Sequence, residues 1–239
     1  MRETRGLNAA QIKLIAIVCM TIDHLAWTIW PGFDTTWYVM VMHIIGRITA
    51  PVMFFFIAEG CLYTRSLWKY AGRLFAFAVI SHFAYCFAFG IPFFSLEAGL
   101  LNRTSIMWPL ALAVLTVAIL KETQMSAFFK IILMMIFAVL SVPGDWSAIA
   151  YVIPLLLYYY SDRRRMQMIA IVIFGVIYAG AFCLTTDLAY GLVQLGVVLS
   201  VPILCLYNEQ PGTWKARKWF FYIYYPAHLA LIGILRLAL

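Results

Sequence analysis

Charged residues are scarce in this 239-residue chain: Asp, Glu, Lys and Arg together make up 11% of it, whereas 65% is apolar. Soluble domains contain about 25% charged and about 45–50% apolar residues, so an ordinary water-soluble enzyme and a disordered tail are both excluded. The mean hydropathy of +0.92 also argues against an outer-membrane barrel, whose alternating strands dilute the hydropathy. The composition therefore predicts a multi-pass membrane protein without a separate soluble domain.

Cysteines and acidic residues are also few, with five of the former and ten of the latter. The cysteines lie singly, mostly inside apolar runs, and form no Cys-x-x-Cys pair or Cys/His cluster. This pattern favours buried free thiols over disulfides and over a metal site. In such a composition the net charge of +7 indicates cytoplasmic loops rich in Lys and Arg, and it does not indicate nucleic acid as a partner.

Long apolar sequence, in contrast, is abundant, and nine runs can be marked. They cover residues 12–30, 38–60, 74–94, 105–120, 127–142, 146–160, 167–184, 188–206 and 219–239. Because a helix satisfies its own backbone hydrogen bonds in lipid and an open strand does not, each run is predicted to be a helix. We therefore expect an all-α polytopic transmembrane bundle of about nine spans, forming a single domain over residues 1–239.

The distribution of cations predicts the orientation of these spans. With the N-terminus inside, fourteen of the seventeen Lys and Arg residues fall in cytoplasmic segments. Arg103 and Arg236 then lie outside, and Arg47 lies within the second run. This alternation follows the positive-inside rule, so we expect a cytoplasmic N-terminus.

The first run contains three ionisable residues, Lys13, Asp23 and His24. A charge near the bilayer centre costs roughly 2.5–3.5 kcal/mol, so such residues are candidates for function. Lys13 and His24 are eleven positions apart, which places them on one helix face about 16 Å apart along the axis. This suits a ligand that enters from the cytoplasm, with its charged end at Lys13 and its reactive end at His24. Alternatively, Lys13 reaches the interface and His24 is a hydrogen-bonded structural histidine.

The second run carries His43, Arg47 and Glu59. A guanidinium at this depth needs a carboxylate, so Arg47 is predicted to pair with Asp23, either for chemistry or only to join two helices. Asp23 and His24 point about 100° apart on a helix, so the partner of the His24 ring is expected from another helix. His43 is expected at the membrane interface, and Glu59 near the cytoplasmic end.

Two further regions carry candidate residues. Arg65, Lys69 and Arg73 recur every four residues, and on a helix they would form one basic stripe that an anion stabilises. Anionic lipid headgroups and a polyphosphate cofactor both fit that stripe. The last run places His228 near mid-membrane with Tyr225 about one turn before it, whereas His82 in the third run is expected to be structural.

Five of the prolines lie more than two residues from either end of a run and are expected to act mostly as packing kinks; they are Pro51, Pro109, Pro154, Pro202 and Pro226. No internal repeat is recognised, and no pair of interrupted helices is expected. Internal repeats and paired interrupted helices are typical of secondary transporters, so their absence from the sequence pattern argues against transport.

Several blocks of the chain resemble the TraX family. KLIAIVCMTIDH at Lys13–His24 is similar to the family's opening segment, and GRITAPVMFFFIAEG follows at Gly46–Gly60. TRSLWKYAGRLFAFAVIS at Thr64–Ser81 and KWFFYIYYPAHL at Lys218–Leu229 continue in family order. His82 and Phe83, in the third run, and EQPG after Asn208, in the last inner loop, depart from the family pattern.

The resemblance implies a multi-pass protein of the bacterial cytoplasmic membrane that transfers acetyl from acetyl-CoA, without a metal, to an amine or hydroxyl. The founding member acetylates the N-terminus of F-type pilin, and related acyltransferases carry a basic residue shortly before an essential His. The acceptor here would be a small membrane peptide, a pilin or an envelope glycan, within membrane lipids.

On this hypothesis the catalytic residues are His24, Asp23, Arg47 and His228. The residues that contact acetyl-CoA are Lys13, Arg65, Lys69 and Arg73, and those that contact the acceptor are Tyr225 and Glu59. Two alternatives are a transporter or flippase, in which the intramembrane Asp, His and Arg residues form a relay, and a pilin assembly factor that needs no cofactor.

Overall fold

The computed structural model describes residues 6–94, 101, 103–212 and 217–239, with the side chains of 217 and 218 left out. Arg2, Arg5 and Lys215, which contribute to the orientation argument, lie outside the described residues. Over these residues the chain is helical, and its β-structure is two isolated bridges, Leu7 with Tyr207 and Thr104 with Gly144. The all-α class is therefore confirmed.

Eleven α-helices and one 3₁₀ segment follow one another along the described chain. The first seven helices are α1 (Ala9–Ile29), α2 (Trp37–Gly46), α3 (Thr49–Tyr63), α4 (Leu67–Phe89), α5 (Met107–Glu122), α6 (Ala127–Ser141) and α7 (Ile149–Tyr159). They are followed by α8 (Arg164–Thr185), α9 (Leu188–Val193), the 3₁₀ segment Gln194–Leu199, α10 (Ser200–Cys205) and α11 (Arg217–Ala238). Each of the nine apolar runs coincides with one helix or with one interrupted helix.

Among the described residues, six stretches are long and apolar enough to cross a membrane. They are Ala9–Ile29, Trp37–Tyr63, Leu67–Phe89, Arg164–Thr185, Leu188–Cys205 and Trp219–Ala238. The three helices between them, α5 to α7, have 16, 15 and 11 residues, and a helix needs about 20 to cross the hydrocarbon core. The chain is thus a helical membrane protein with six candidate spans. The count of nine and the inside N-terminus stay predictions.

Local sequence explains where several helices begin and end. Asn8 starts α1 with a capping box: its side chain accepts from the Gln11 backbone N–H at 3.0 Å, and Gln11 Oε1 accepts from the Asn8 N–H at 2.9 Å. Ser66 caps α4 with its side chain alone, whose Oγ accepts from the Lys69 backbone N–H at 3.3 Å. Helix α4 ends at Gly90, whose φ of 68° is strained for residues with a side chain.

Two of the six candidate spans are interrupted, which corrects the expectation that no such pair exists. Trp37–Tyr63 breaks into α2 and α3 at Arg47 and Ile48, and Leu188–Cys205 passes through the 3₁₀ segment. A proline ring clashes with the carbonyl four residues earlier. Pro51 therefore disturbs the helix at Arg47, and Pro202 disturbs it at Val198. These two prolines interrupt their helices, whereas most of the prolines were expected to act as packing kinks.

The chain forms two compact units, which are described separately. The first unit comprises the described residues of Met1–Phe56, Arg163–Phe221 and Ala238–Leu239, and the second those of Ile57–Asp162 and Tyr222–Leu237. In the first, α1 packs on α2, and α8 packs on α9 and the 3₁₀ segment. In the second, α5 packs against α4, α6 and α7, with Leu112, Ala113 and Tyr151 in its core. The single domain over residues 1–239 stays a prediction.

The cysteine prediction holds for most positions. All five cysteines are free thiols; Cys19, Cys61 and Cys86 are buried, Cys183 is half-buried and Cys205 is exposed. Burial was therefore the wrong expectation for Cys205, the last residue of α10, whose buried residues are Ser200 and Leu204.

Candidate functional site

The carboxylate of Asp23 organises a buried polar cluster in the first unit. Asp23 lies on α1 and is 8% exposed. Its Oδ2 accepts from Arg47 Nη2 at 2.6 Å, which confirms the ion pair predicted from sequence. Arg47 lies in the turn between α2 and α3, so the cation of the ion pair is located where that span is interrupted.

His43 is the second partner of Asp23. Its Nδ1 lies 2.7 Å from Asp23 Oδ1, and the residue has no exposed surface. Because an ionised carboxylate only accepts, the ring hydrogen lies on Nδ1 and a neutral ring keeps the lone pair on Nε2. His43 is thus a buried partner of Asp23, which corrects its expected interfacial placement. The available signal was spacing: His43 and Arg47 are one helical turn apart and face the same way.

Gln194, to which the sequence argument assigned no role, meets the cluster from the second interrupted span. Its Oε1 lies 3.4 Å from Arg47 Nη1, and its Nε2 donates to the Tyr190 carbonyl at 3.0 Å. Two glycines permit this approach. A β-carbon at Gly46 would overlap the Asp23 side chain, and one at Gly196 would crowd the Ile44 carbonyl.

Aromatic rings surround the His43 imidazole. The centroid of Trp27 lies 4.5 Å from that of His43, and the Tyr190 centroid lies 5.8 Å away. Phe33 packs edge-on against Tyr190 at 4.8 Å, and the Tyr190 hydroxyl donates to the Asp34 carbonyl at 2.9 Å. These contacts hold the loop between α1 and α2 against the His43 ring.

The same loop has its own anchor at Asp34. Its Oδ1 accepts from the Thr36 backbone N–H at 2.7 Å. The hydrogen bonds from the Thr36 side chain and backbone hold the pKa of the Asp34 carboxyl below its ordinary value. This turn fixes the start of α2 and therefore the position of His43.

The structure places Lys13 and His24 on α1 as predicted, both half-buried. The Lys13 ammonium lies 4.6 Å from the centroid of the Phe56 ring and 5.6 Å from that of Phe221. A cation over two aromatic rings is held near one position. The predicted roles of Lys13 and His24 stay predictions.

The basic stripe is corrected in one respect. Arg65 precedes the capping residue Ser66, so it lies outside α4, and only Lys69 and Arg73 share a helix face. Arg65 and Lys69 are exposed, and Arg73 is half-buried with its guanidinium 5.7 Å from the Tyr70 ring centroid. Two cations in the first turns of a helix are electrostatically unfavourable, and an anion there would offset this.

The remaining candidates, Glu59, Tyr225 and His228, belong to the second unit. His228 is 5% exposed, and its Nδ1 donates to the Tyr224 carbonyl at 3.1 Å. The ring stacks on Tyr224 at 5.3 Å and meets Tyr225 at 5.5 Å, as their spacing predicts. Glu59 is half-buried on α3.

Comparison with known proteins finds a related protein and a matching family. A relative from Dichelobacter nodosus, described as probable fimbrial assembly protein FimC, serogroup H1, is 29% identical over 241 residues, 97% of each chain. No solved structure matches. The TraX protein family matches residues 8–236, which include every candidate residue described above. The chain belongs to the TraX family.

Proposed function

We propose that this protein is an integral membrane acetyltransferase that moves acetyl from cytoplasmic acetyl-CoA to an amine or hydroxyl of an acceptor held in the membrane. The observation that carries the proposal is the Asp23 cluster. A carboxylate, an imidazole and a guanidinium joined by contacts of 2.6 and 2.7 Å among apolar helices form a set suited to proton transfer and charge stabilisation. Family membership and the name of the fimbrial relative favour a pilin-type acceptor.

Acyl transfer places two demands on such a site. The attacking nitrogen or oxygen must lose a proton, and the oxygen of the thioester carbonyl must be stabilised as it gains negative charge. An imidazole of the first unit meets the first demand, and the family resemblance implies His24. Arg47 is the candidate for the second, because its contact with Asp23 fixes the guanidinium where the side chain is only 11% exposed and its charge acts more strongly than in water.

The polyanionic end of acetyl-CoA needs cations outside this cluster. Lys13 supplies one, and Arg65, Lys69 and Arg73 supply others at the start of α4. Arg65 and Lys69 are exposed and therefore open to phosphate groups, whereas Lys13 and Arg73 are half-buried. On the acceptor side, Tyr225 and His228 on α11 and Glu59 on α3 offer polar groups, and His228 is the candidate for a second acid or base.

Labelled acetyl-CoA tests the proposal directly. Purified protein in lipid nanodiscs is incubated with native membranes and acetyl-CoA carrying an isotope in the acetyl group, and the labelled component is identified by mass spectrometry. We expect one membrane component to gain label, and Asp23→Asn to abolish the transfer. Glu209→Gln is the matched control, because Glu209 is an exposed acid that lies 3.7 Å from Arg164. Wild-type protein that neither binds acetyl-CoA nor transfers its label contradicts the proposal.

A transporter is the second candidate function, and the two interrupted spans favour it. Their interruptions bring Arg47 and Gln194 together, and discontinuous helices often form transport sites. Flux across proteoliposomes without acetyl-CoA would support transport. A cofactor-free pilin assembly factor would instead bind an acceptor peptide while showing no heat of acetyl-CoA binding in calorimetry.

A further inference from the structure

We propose that His43, held by Asp23, is the base that takes the proton from the acceptor. The inference rests on the acetyltransferase function proposed above and names the group that performs its proton transfer. It reassigns the step that the family resemblance gives to His24. Three features of His43 carry it: the carboxylate contact, the unpartnered ring nitrogen and the aromatic surroundings.

The carboxylate contact sets the chemistry of the ring. Asp23 accepts from Nδ1 at 2.7 Å, so Nε2 is the basic nitrogen and the ring cannot rotate without losing this bond. Asp23 also stabilises the imidazolium that forms when Nε2 takes a proton, as carboxylates do for catalytic histidines. Arg47 at 2.6 Å keeps that carboxylate ionised and in place.

The second feature is the Nε2 atom itself. It is buried and has no hydrogen-bond partner among the residues that the structure describes. A buried polar atom without a partner costs about 1–3 kcal/mol, and native proteins keep few of them. A nitrogen that must stay available for a substrate proton explains why this site retains one.

The third feature is the environment. Trp27 and Tyr190 pack around the imidazole, and the neighbouring ionisable groups are Asp23 and His24 of α1, Arg47 of the turn and Tyr190 of α9. Exclusion of water strengthens the electrostatic contacts and protects a thioester from hydrolysis.

A neutral amine or hydroxyl of the acceptor forms a bond to the acetyl carbonyl carbon, and its proton passes to His43 Nε2. The carbon–sulfur bond breaks, and the leaving thiolate of CoA takes the proton back from Nε2. The products are the acetylated acceptor and CoA as the thiol, with His43 returned to its neutral form.

His43→Asn tests this role because the asparagine amide can still donate to Asp23 but has no basic nitrogen in place of Nε2. The assay is transfer of labelled acetyl, with kcat and KM measured separately and the folded fraction followed by thermal unfolding. We expect a fold close to wild type, a KM for acetyl-CoA within about threefold and a kcat lower by about 100-fold or more. His82→Asn is the matched control, and its kcat is expected to be unchanged.

Three outcomes overturn the inference while leaving the proposed function intact. One is a wild-type kcat in His43→Asn. Another is a loss of kcat in His43→Asn that is fully accounted for by lost folding or lost acetyl-CoA binding. The third is a larger fall in kcat in His24→Asn than in His43→Asn, which would return the base to His24. Failure of the wild-type protein to transfer acetyl would overturn the proposed function itself.

Discussion

His43 in the first unit and His82 in the second both belong to apolar helices, but their ring nitrogens have different partners. His82 Nδ1 lies 3.1 Å from the Thr104 hydroxyl, and its Nε2 donates to the Phe93 carbonyl at 2.9 Å. His43 has a charged partner on one nitrogen and none among the described residues on the other. An imidazole with both nitrogens engaged joins segments of the chain, whereas the proposal above assigns proton transfer to the imidazole that has a carboxylate on one nitrogen and no described partner on the other.

The two units also differ in what their polar groups contact. Asp23 contacts His43 and Arg47, and Arg47 contacts Gln194, so ion pairs and hydrogen bonds join side chains of separate elements. In the second unit the polar contacts mostly fix local structure, as when Thr116 donates to the Leu112 carbonyl at 3.0 Å and lies 2.9 Å from the Tyr151 hydroxyl. We therefore expect substitutions in the Asp23 cluster to affect both stability and transfer, and substitutions at the Thr116–Tyr151 contact to affect stability alone.

The largest effect is expected from Arg47→Met, which leaves Asp23 as a buried charge without its cation. Breaking a buried pair in this way costs about 3–5 kcal/mol in the free energy of unfolding. The measurement is unfolding in mixed micelles, with Glu209→Gln expected to change the value by less than about 1 kcal/mol because that pair is exposed. Equal losses in the two variants would contradict the importance assigned to the cluster.

Gly46→Ala should come next, because its new methyl group would overlap the Asp23 side chain. Overpacking of this kind costs about 1–3 kcal/mol, and the displaced carboxylate would also lower transfer activity. Gly72→Ala in α4 is the control: its β-carbon meets no atom within 4 Å, so stability should rise slightly. Thermal unfolding and labelled transfer measure both effects, and an unaffected Gly46→Ala would contradict the close approach of α1 and α2.

A smaller effect is expected from Thr104→Val, which removes the partner of His82 Nδ1. The lost hydrogen bond should lower the free energy of unfolding by about 0.5–1.5 kcal/mol. Acetyl transfer should stay at the wild-type rate, since this contact orders a loop and lies apart from the proposed chemistry. A loss of transfer with unchanged stability would break the contrast between the two histidines.

The smallest effect concerns pH and Asp34. Its folded pKa lies below the ordinary value because Thr36 donates to it, so the carboxylate stabilises the fold above the unfolded pKa of about 3.9. This contribution is lost as the pH falls through the lower, folded pKa. Asp34→Asn should therefore lower the stability slightly at neutral pH and reduce the dependence of the unfolding midpoint on pH in the acid range. An identical acid dependence in both proteins would contradict the effect.

The helices and the Asp23–Arg47 pair were predictable from sequence for related reasons. A long apolar run in lipid forms a helix because a helix satisfies its own backbone hydrogen bonds. A buried guanidinium needs a carboxylate, and few carboxylates lie at its depth. Arg65 was misplaced on the basic stripe because a four-residue spacing indicates a shared face only if the helix covers every position. Helix α4 begins at Leu67, directly after its N-cap Ser66, so Arg65 lies before the helix.

His43 and Gln194 were missed for a different reason. The depth of a residue, estimated from the ends of an apolar run, does not show which neighbouring helix its side chain contacts. The role of a buried polar residue depends on a hydrogen-bond partner that is distant in sequence. Pro51 and Pro202 were visible as helix breakers, but the meeting of the interrupted spans at Arg47 and Gln194 depends on packing between helices.

The amino-acid sequence by itself determined that this chain forms apolar helices in a membrane, that it retains a few ionisable groups there, and that Arg47 needs Asp23. Only the tertiary structure decided that Asp23 holds His43 as well, that Nε2 of this ring is left unpartnered among the described residues, and that Gln194 meets Arg47. The reason is that hydropathy and charge depend on composition along one segment, whereas a hydrogen bond requires two atoms to be brought within about 3 Å by the packing of several segments.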